Sequence, residues 1–393
     1  MGKALTIRGI SLMAMAISVS FFAGPGQVSC AGAQSGREVR ILVLDGKDAA
    51  RLSLKGRYTM SDIATGKILM EGPHLNSDVK ALPAGMLVGE AEFGSSGIKV
   101  SAAKDADIYI NWKRFRGQVD IIRKPDGLLM VINHIGIEKY LYGVLFHEVS
   151  PRWPMETLKA QAIAARTFAV YQAAQTKDRP YDLTSDIYSQ VYGGRGSERW
   201  ATTRAVDLTK EMVLAYKGQV FPAYFHATCA GFTESASNLW KGGDIEPLKG
   251  GVFCPYCRIS PHYLWHREIP LGELERKLKG AGRDVGRIAS VRCLGRNASG
   301  RVDNLEIKDD SGKTVIIPAK DFRLIVGPND VRSTRFITKI KWGKLVLDGL
   351  GWGHGVGMCQ WGAYGLGKKG KSAEEILKFY YPGAEVAAID ELK

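Results

Sequence analysis

Glu148 is the residue best suited to acid–base chemistry, in the stretch YLYGVLFHEVSPRWPMETLKAQAIAARTFAVY at 140–171. Its neighbours Phe146, Val149 and Trp153 are apolar or aromatic. A carboxyl group in such surroundings has its pKa raised by desolvation, which is what a general acid needs. The alternative interpretation is a solvated loop acid, because glutamate is rarely buried.

The spacing of histidine and cysteine indicates a metal site. His226-x2-Cys229 and Cys254-x2-Cys257 together form an H-x2-C…C-x2-C pattern. This spacing suits a tetrahedral Cys3His zinc site, which would be structural because a closed site leaves no open coordination position. The sequence therefore predicts no cofactor for catalysis and argues against a zinc hydrolase. Disulfides, which are favoured outside the cytoplasm, and free thiols are the alternative states of these cysteines.

The local sequence holds Glu148 between two rigid elements. The run Tyr140–Phe146 is typical of either a buried strand or a helical turn. Pro151 and Pro154 end that element, because proline lacks a donor and restricts the residue before it. A helix is predicted to follow, with one apolar stripe formed by Leu158, Ala162, Ala165 and Ala169.

Composition and pattern predict an α+β protein. The 393 residues allow two or three domains, and their formal net charge is +14. Short apolar runs separated by turn residues predict a small β-rich segment over 34–104. A mixed β-sheet domain with packed helices is predicted over 105–393. The positive charge favours a polyanionic partner such as nucleic acid, anionic lipid or an anionic cell wall. No nucleic-acid motif is present, and the basic residues are scattered, so charge alone does not decide among these partners.

The first 33 residues have the pattern of a signal peptide. Lys3 and Arg8 form a basic start, Ile10 to Ala23 is apolar, and Ala31-Gly32-Ala33 resembles a cleavage site. The apolar run is short for a membrane span. Cleavage would leave a protein outside the cytoplasm, in the periplasm or cell wall, with no permanent span. An uncleaved anchor and a lipid anchor at Cys30 are the alternatives.

Several blocks resemble the stage II sporulation protein D / amidase-enhancer family. They are the YLxGV run with its glutamate, WPxE, LKAQAxAART, a Q-x-Y-x-G element, a block similar to FHSxxGGxT, and the glycine-rich GLGWGHGVGMCQWGAYGLG. The resemblance extends from about Ile108 to Val386. It implies that Glu148 is the catalytic acid of a peptidoglycan lytic transglycosylase.

The same resemblance suggests residues for substrate binding. Their polar groups would hydrogen-bond to a glycan or stack on it, and the alternative is that they are satisfied internally. These residues are Gln190, Tyr192, His226, His354 and Gln360. The chain departs from the family at Ala227, Ala230 and Cys359. Some members carry a His and Cys zinc site for which Lys177, Leu183 and Ser189 stand here, so that particular site is not expected.

The sequence therefore favours a secreted lytic transglycosylase that acts on peptidoglycan glycan strands. One glutamate would act as acid and then as base, leaving 1,6-anhydro-N-acetylmuramic acid ends. The alternative is a non-catalytic wall-binding protein that stimulates a separate cell-wall amidase.

Overall fold

A computed structural model describes residues 37–104, 106–186 and 189–392. The predicted signal peptide, and Cys30 within it, lie outside the described residues. The fold is α+β, as the sequence predicts. In the part that the structure describes, no helix combines the length and apolar character needed to cross a membrane.

The first part of the described chain is made of strands: β1 (Glu38–Lys47), β2 (Ala49–Asp62), β3 (Ile68–Leu82), β4 (Gly85–Val88), β5 (Ala91–Phe93), β6 (Gly97–Ala102), β7 (Asp107–Ile110), β8 (Lys113–Phe115), β9 (Gln118–Arg123) and β10 (Leu129–Gly136). The middle part is α1 (Ile137–Glu148), α2 (Met155–Gln175), β11 (Leu183–Thr184), α3 (Trp200–Leu208), β12 (Met212–Tyr216), β13 (Gln219–Val220) and β14 (Phe225–His226). The last part is β15 (Leu264–Pro270), α4 (Leu271–Gly280), β16 (Ile288–Arg296), β17 (Val302–Asp309), β18 (Thr314–Pro318), α5 (Ala319–Val326), β19 (Phe336–Lys341), β20 (Lys344–Leu350), β21 (Met358–Cys359), α6 (Gln360–Lys368), α7 (Ala373–Tyr380) and β22 (Glu385–Ala388).

One 11-stranded sheet contains β1 to β11. β1 pairs antiparallel with β10 and parallel with β11, while β6 pairs with β9 and β2 with β7. The boundary that the sequence suggests between 104 and 105 therefore falls inside a single sheet. Arg40 in β1 forms an ion pair of 2.6 Å with Asp182, the residue directly before β11. This pair links the two strands.

Helix α2 is the centre of the helical layer. Every residue from 160 to 170 is buried, so the helix is enclosed on all faces and not only along the predicted stripe. Arg166 is fully buried and donates to both carboxylate oxygens of Glu138, at 2.9 and 2.7 Å. This paired geometry satisfies a charge that would otherwise be costly inside the protein.

A second hydrophobic core is built from residues that lie between β14 and β21 in the sequence. It is formed by residues from Trp265 to Leu347, on the sheets β15-β20-β19 and β16-β17-β18 with α4 and α5. β14 and β21 pair parallel with each other. The residues of this second core therefore form a separate module between two paired strands of the main core. We call it the inserted module.

Candidate functional site

Glu148 is the last residue of α1, so the run before it is a helix and not a strand. Val149 is extended (φ −140°, ψ 150°), and its N–H donates to the Leu145 carbonyl. Pro154 then stands directly before α2. The predicted position of Glu148, on a short junction ahead of a buried helix, is confirmed.

The carboxyl of Glu148 faces an amide and little solvent. Gln360 Nε2 donates to Glu148 Oε2 at 3.2 Å. Burial raises the pKa of Glu148 to about 7, and the hydrogen bond from Gln360 opposes that rise. The residue as a whole keeps some solvent access, whereas its carboxyl is largely desolvated by its surroundings. Both the protonated and the ionised form are therefore accessible near neutral pH, which suits an acid that later becomes a base.

Gln161 completes the polar part of the site, and the sequence analysis did not identify it. Its Oε1 accepts from Gln360 Nε2 at 3.4 Å, while its own Nε2 is buried without a partner. The signal was available, because a glutamine stands among the alanines of the LKAQAIAAR segment on a helix with a buried interior. A buried donor without a partner is rare and is a candidate ligand contact.

Aromatic rings line one side of the site. The ring of Trp153 lies 5.1 Å from that of Trp361 and 5.0 Å from that of Tyr364, between ring centroids. Trp361 directly follows Gln360 in α6, and Trp153 packs against the small apolar cluster that contains Val149, the residue after Glu148. A pocket of about 400 Å³ adjoins Tyr364 on the outer side of α6 and is lined also by Tyr256 and Lys369. Trp153, Trp361 and Tyr364 are partly exposed, and aromatic rings with accessible surface can stack on sugars.

Polar and basic groups contact the two residues of α1 that precede Glu148. His147 Nε2 and Ser197 Oγ are 2.7 Å apart. The Arg199 guanidinium lies over the Phe146 ring at 4.2 Å. Burial lowers the pKa of His147, and the charge of Arg199 lowers it further. These surroundings therefore favour the neutral form of the His147 ring.

The structure places Gln190 and Tyr192 in the interior instead of on a substrate surface. Gln190 Oε1 accepts from Tyr140 Oη at 3.1 Å, and its Nε2 donates to the Ala165 carbonyl at 3.4 Å. Tyr192 Oη donates to Asn133 Oδ1 at 3.0 Å. Both side chains brace the fold around α1 and α2, which is a correction to the predicted glycan contacts.

His226 and His354 are also interior residues. His354 Nε2 donates to the Phe225 carbonyl at 3.0 Å, and its Nδ1 accepts from the Val356 N–H at 3.1 Å. His226 Nδ1 lies 3.0 Å from the Val356 carbonyl. Burial, and next the charge of Arg301, lowers the pKa of His226 to about 3. Of the five predicted substrate contacts, only Gln360 lies at Glu148.

Three of the four predicted metal ligands come together in the structure, with a different residue as the fourth member of the group. Cys229, Cys254, Cys257 and Cys359 are buried, and their sulfur atoms all lie within 4.8 Å of one another. We call these four residues the cysteine cluster. Cys359 takes the place predicted for His226, because β14 and β21 pair and set Cys359 opposite His226. The inserted module separates Cys359 from Cys257 in the sequence, so spacing alone does not reveal it.

Comparisons with known proteins agree on one family. A family model described as Stage II sporulation protein matches residues 126–216, and a model described as a domain of unknown function matches residues 258–357. An uncharacterized protein of Brachyspira hyodysenteriae is 35% identical over 352 residues, covering 88% of this chain and 92% of that protein. Stage II sporulation protein D of Bacillus amyloliquefaciens is 34% identical over 277 residues, covering 66% of this chain and 76% of that protein. The amidase enhancer of Bacillus subtilis is 28% identical over 291 residues, covering 63% of this chain and 40% of that protein.

Proposed function

This chain belongs to the stage II sporulation protein D family, and we propose that it is a peptidoglycan lytic transglycosylase with Glu148 as its acid and base. The observation that carries the proposal is the carboxyl of Glu148, whose pKa burial raises to about 7 beside the Gln360 amide. An acid with a pKa near the working pH can both give and accept a proton effectively. The rise comes from burial, and within the described residues no second carboxylate contributes to it.

The reaction needs a single carboxyl group. Protonated Glu148 gives its proton to the glycosidic oxygen, and the bond from that oxygen to C1 of N-acetylmuramic acid breaks. The C6 hydroxyl oxygen of the same sugar then bonds to C1, and its proton passes to the Glu148 carboxylate. The acid is regenerated, no water is consumed, and the new end is a 1,6-anhydro sugar. Hydrolases that add water use two carboxylates instead.

The groups around Glu148 support a glycan as substrate. Gln360 holds one carboxylate oxygen, and the unpartnered Nε2 of Gln161 is free to donate to a substrate oxygen. Trp153 and Trp361 are partly exposed and pack edge-on against each other, and a sugar ring would stack on their accessible surface. The net charge of +14 suits a wall that carries carboxylates.

We propose that the protein acts outside the cytoplasm, because residues 1–33 have the pattern of a signal peptide. A cell-wall amidase is included as a partner, because a relative named amidase enhancer shares part of the chain. In that arrangement the enzyme would cut glycan strands while the amidase removes stem peptides.

The test is mass spectrometry of products formed from purified glycan strands, both with and without stem peptides. We expect anhydro-muramic ends, which are one water lighter than hydrolysed ends. The Glu148→Gln variant should lose this product by at least about a hundredfold. Glu92→Gln is the matched control, because Glu92 is exposed on β5, in the N-terminal strands.

Two other outcomes would redirect the assignment. Hydrolysed ends would mean that a second group activates water. Binding of glycan without cleavage of either substrate would favour the non-catalytic amidase enhancer. In that case Glu148→Gln would leave binding and stimulation of an added amidase unchanged.

A further inference from the structure

The sulfur atoms of the cysteine cluster have the spacing of a metal site. Cys229 Sγ and Cys257 Sγ are 3.6 Å apart, and all four sulfurs lie within 4.8 Å of one another. Four thiolates bound tetrahedrally at 2.3 Å from Zn²⁺ lie about 3.8 Å apart. A disulfide joins only two sulfurs, at about 2.05 Å. The mutual approach of four sulfurs therefore fits one ion better than two separate bonds.

Hydrogen-bond donors around the cluster point at the sulfur atoms. The N–H groups of Cys229 and Gly231 lie 3.2 Å from Cys359 Sγ and 3.4 Å from Cys229 Sγ. Tyr380 Oη is 3.1 Å from Cys254 Sγ. Donors to sulfur stabilise thiolates, as partners outside the ligand shell do in metal sites. Gly362 leaves room for this packing, since a Cβ there would lie 1.9 Å from Tyr380 Oη.

A buried positive charge stands beside the cluster. Arg301 is 1% exposed, donates to the Cys229 carbonyl at 3.4 Å and has an Nε without a partner. In the described part of the chain it forms no ion pair within 4 Å, although Glu234 interacts with it electrostatically. Four thiols that bind Zn²⁺ release their protons to water, and the resulting centre carries a net charge of −2. A dianionic centre would balance a charge that is otherwise costly to bury.

The cluster stands at the two ends of the inserted module. Cys257 directly precedes, and Cys359 closely follows, the range 258–357 matched as a separate domain. Cys229 lies in the loop that follows β14 in the main core. One ion bound by these residues would join both ends of the module to the main core.

We propose that Cys229, Cys254, Cys257 and Cys359 bind one Zn²⁺ ion that fixes the inserted module to the main core and sets the start of α6. Cys359 is the N-terminal capping residue of α6, and Gln360 is its first residue. Holding the sulfur of Cys359 therefore fixes the backbone from which Gln360 reaches Glu148. The ion performs no chemistry, because four protein ligands leave no open position.

The first test is metal analysis of the purified chain together with Co²⁺ substitution. We expect one zinc ion per chain, and a cobalt form with the absorption of tetrahedral thiolate coordination. Cys359→Ser should lose at least about tenfold in metal affinity. Cys293→Ser is the matched control, since Cys293 is a half-buried thiol outside the cluster.

Three results would overturn the proposal. They are two disulfides in alkylated, unreduced protein without metal; four thiols that react freely in folded, metal-free protein; and zinc that is kept by Cys359→Ser but lost from His226→Ala. If Cys359→Ser does not fold, the charge-transfer intensity of the wild-type cobalt protein still distinguishes four thiolate ligands from three.

The second test addresses the link to α6 and uses hydrogen–deuterium exchange. Zinc is released with a mercurial and chelator, and the thiols are then regenerated with reductant. We expect faster exchange in 358–366 and 254–259, with β6 unchanged as an internal reference. Unchanged exchange in 358–366 would remove the link to Gln360. Neither readout needs glycan cleavage, so a failure here is separate from a failure of the proposed function.

Discussion

Cys359 and Gln360 are neighbours in the chain, yet they serve two differently built sites. Glu148 as a residue keeps some solvent access, and its carboxyl accepts a hydrogen bond from the Gln360 amide. In the cysteine cluster, four sulfurs are closed off from solvent and face backbone donors. An accessible site can exchange protons with a substrate, whereas a closed site can only hold parts together. This difference underlies our two proposals, chemistry at Glu148 and structural support by the cysteines.

The largest effect that tests this contrast is on cleavage. Glu148→Gln keeps the shape of the side chain but cannot donate a proton, so we expect cleavage to fall about 10²- to 10⁴-fold. Quantifying anhydro ends over time measures the loss. A variant that retained a tenth of the activity would show that another group supplies the proton.

The next effect concerns stability at the cysteines. Cys359→Ala should lower the free energy of unfolding by more than about 4 kcal/mol, because loss of a metal is among the most destabilising changes. Cys293→Ala should cost about 1 kcal/mol, as an ordinary substitution does. Urea unfolding of both variants in zinc-containing buffer gives the comparison. Equal losses would mean that Cys359 is an ordinary core thiol.

A third prediction uses the pH dependence of stability at Glu148. Burial raises its pKa from 4.5 to about 7 in the folded chain. Its protonated form therefore contributes stability that is complete below about pH 4.5 and is lost as the pH rises through 7. Glu148→Gln does not ionise, so its advantage over wild type should grow to at most about 3 kcal/mol at pH 9. Urea unfolding at pH 5 and pH 9 measures it, and a difference that does not change with pH would contradict a buried, ionising carboxyl.

The smallest effect is a shift in the pH profile. Gln360→Met keeps the volume but removes the donor to Glu148. The hydrogen bond from Gln360 lowers the pKa of Glu148, so its loss should raise that pKa. The alkaline limb of the cleavage rate should then move to higher pH, together with a loss of about tenfold from weaker positioning. A limb that moved to lower pH would show that water replaces the amide.

The sequence was most informative where local signals agree. α2 and the bracket around Glu148 are both present as predicted. The bounds of the strands within 34–104 are harder to read from the sequence, as β2 shows: its alternation of buried residues is broken by a bulge between Lys55 and Tyr58. The bulge puts exposed Lys55, Gly56 and Arg57 in the middle of the strand, which interrupts the period of two.

Polar residues in motif blocks were harder to assign. Gln190, Tyr192 and His354 have the same residue types whether they face a glycan or a buried carbonyl, and only the fold distinguishes the two. Cys359 joined the cluster through the pairing of β14 with β21, which no local spacing encodes. Gln161 was overlooked because helical periodicity treats it as one polar interruption in an apolar helix.

The position of β1 has a consequence for how the chain folds. Arg40 bonds to Asp182, 142 residues later, and the strand itself lies between β10 and β11. Synthesis starts at the N-terminus, so β1 has neither of its neighbouring strands until β10 and β11 have been made. Bringing together residues so distant in sequence costs loop entropy before the contacts stabilise the fold, and this makes folding slow. Deleting β1 would leave β10 and β11 without the strand that lies between them. The first strand of the sheet to be synthesised is therefore among the last to acquire its pairing partners.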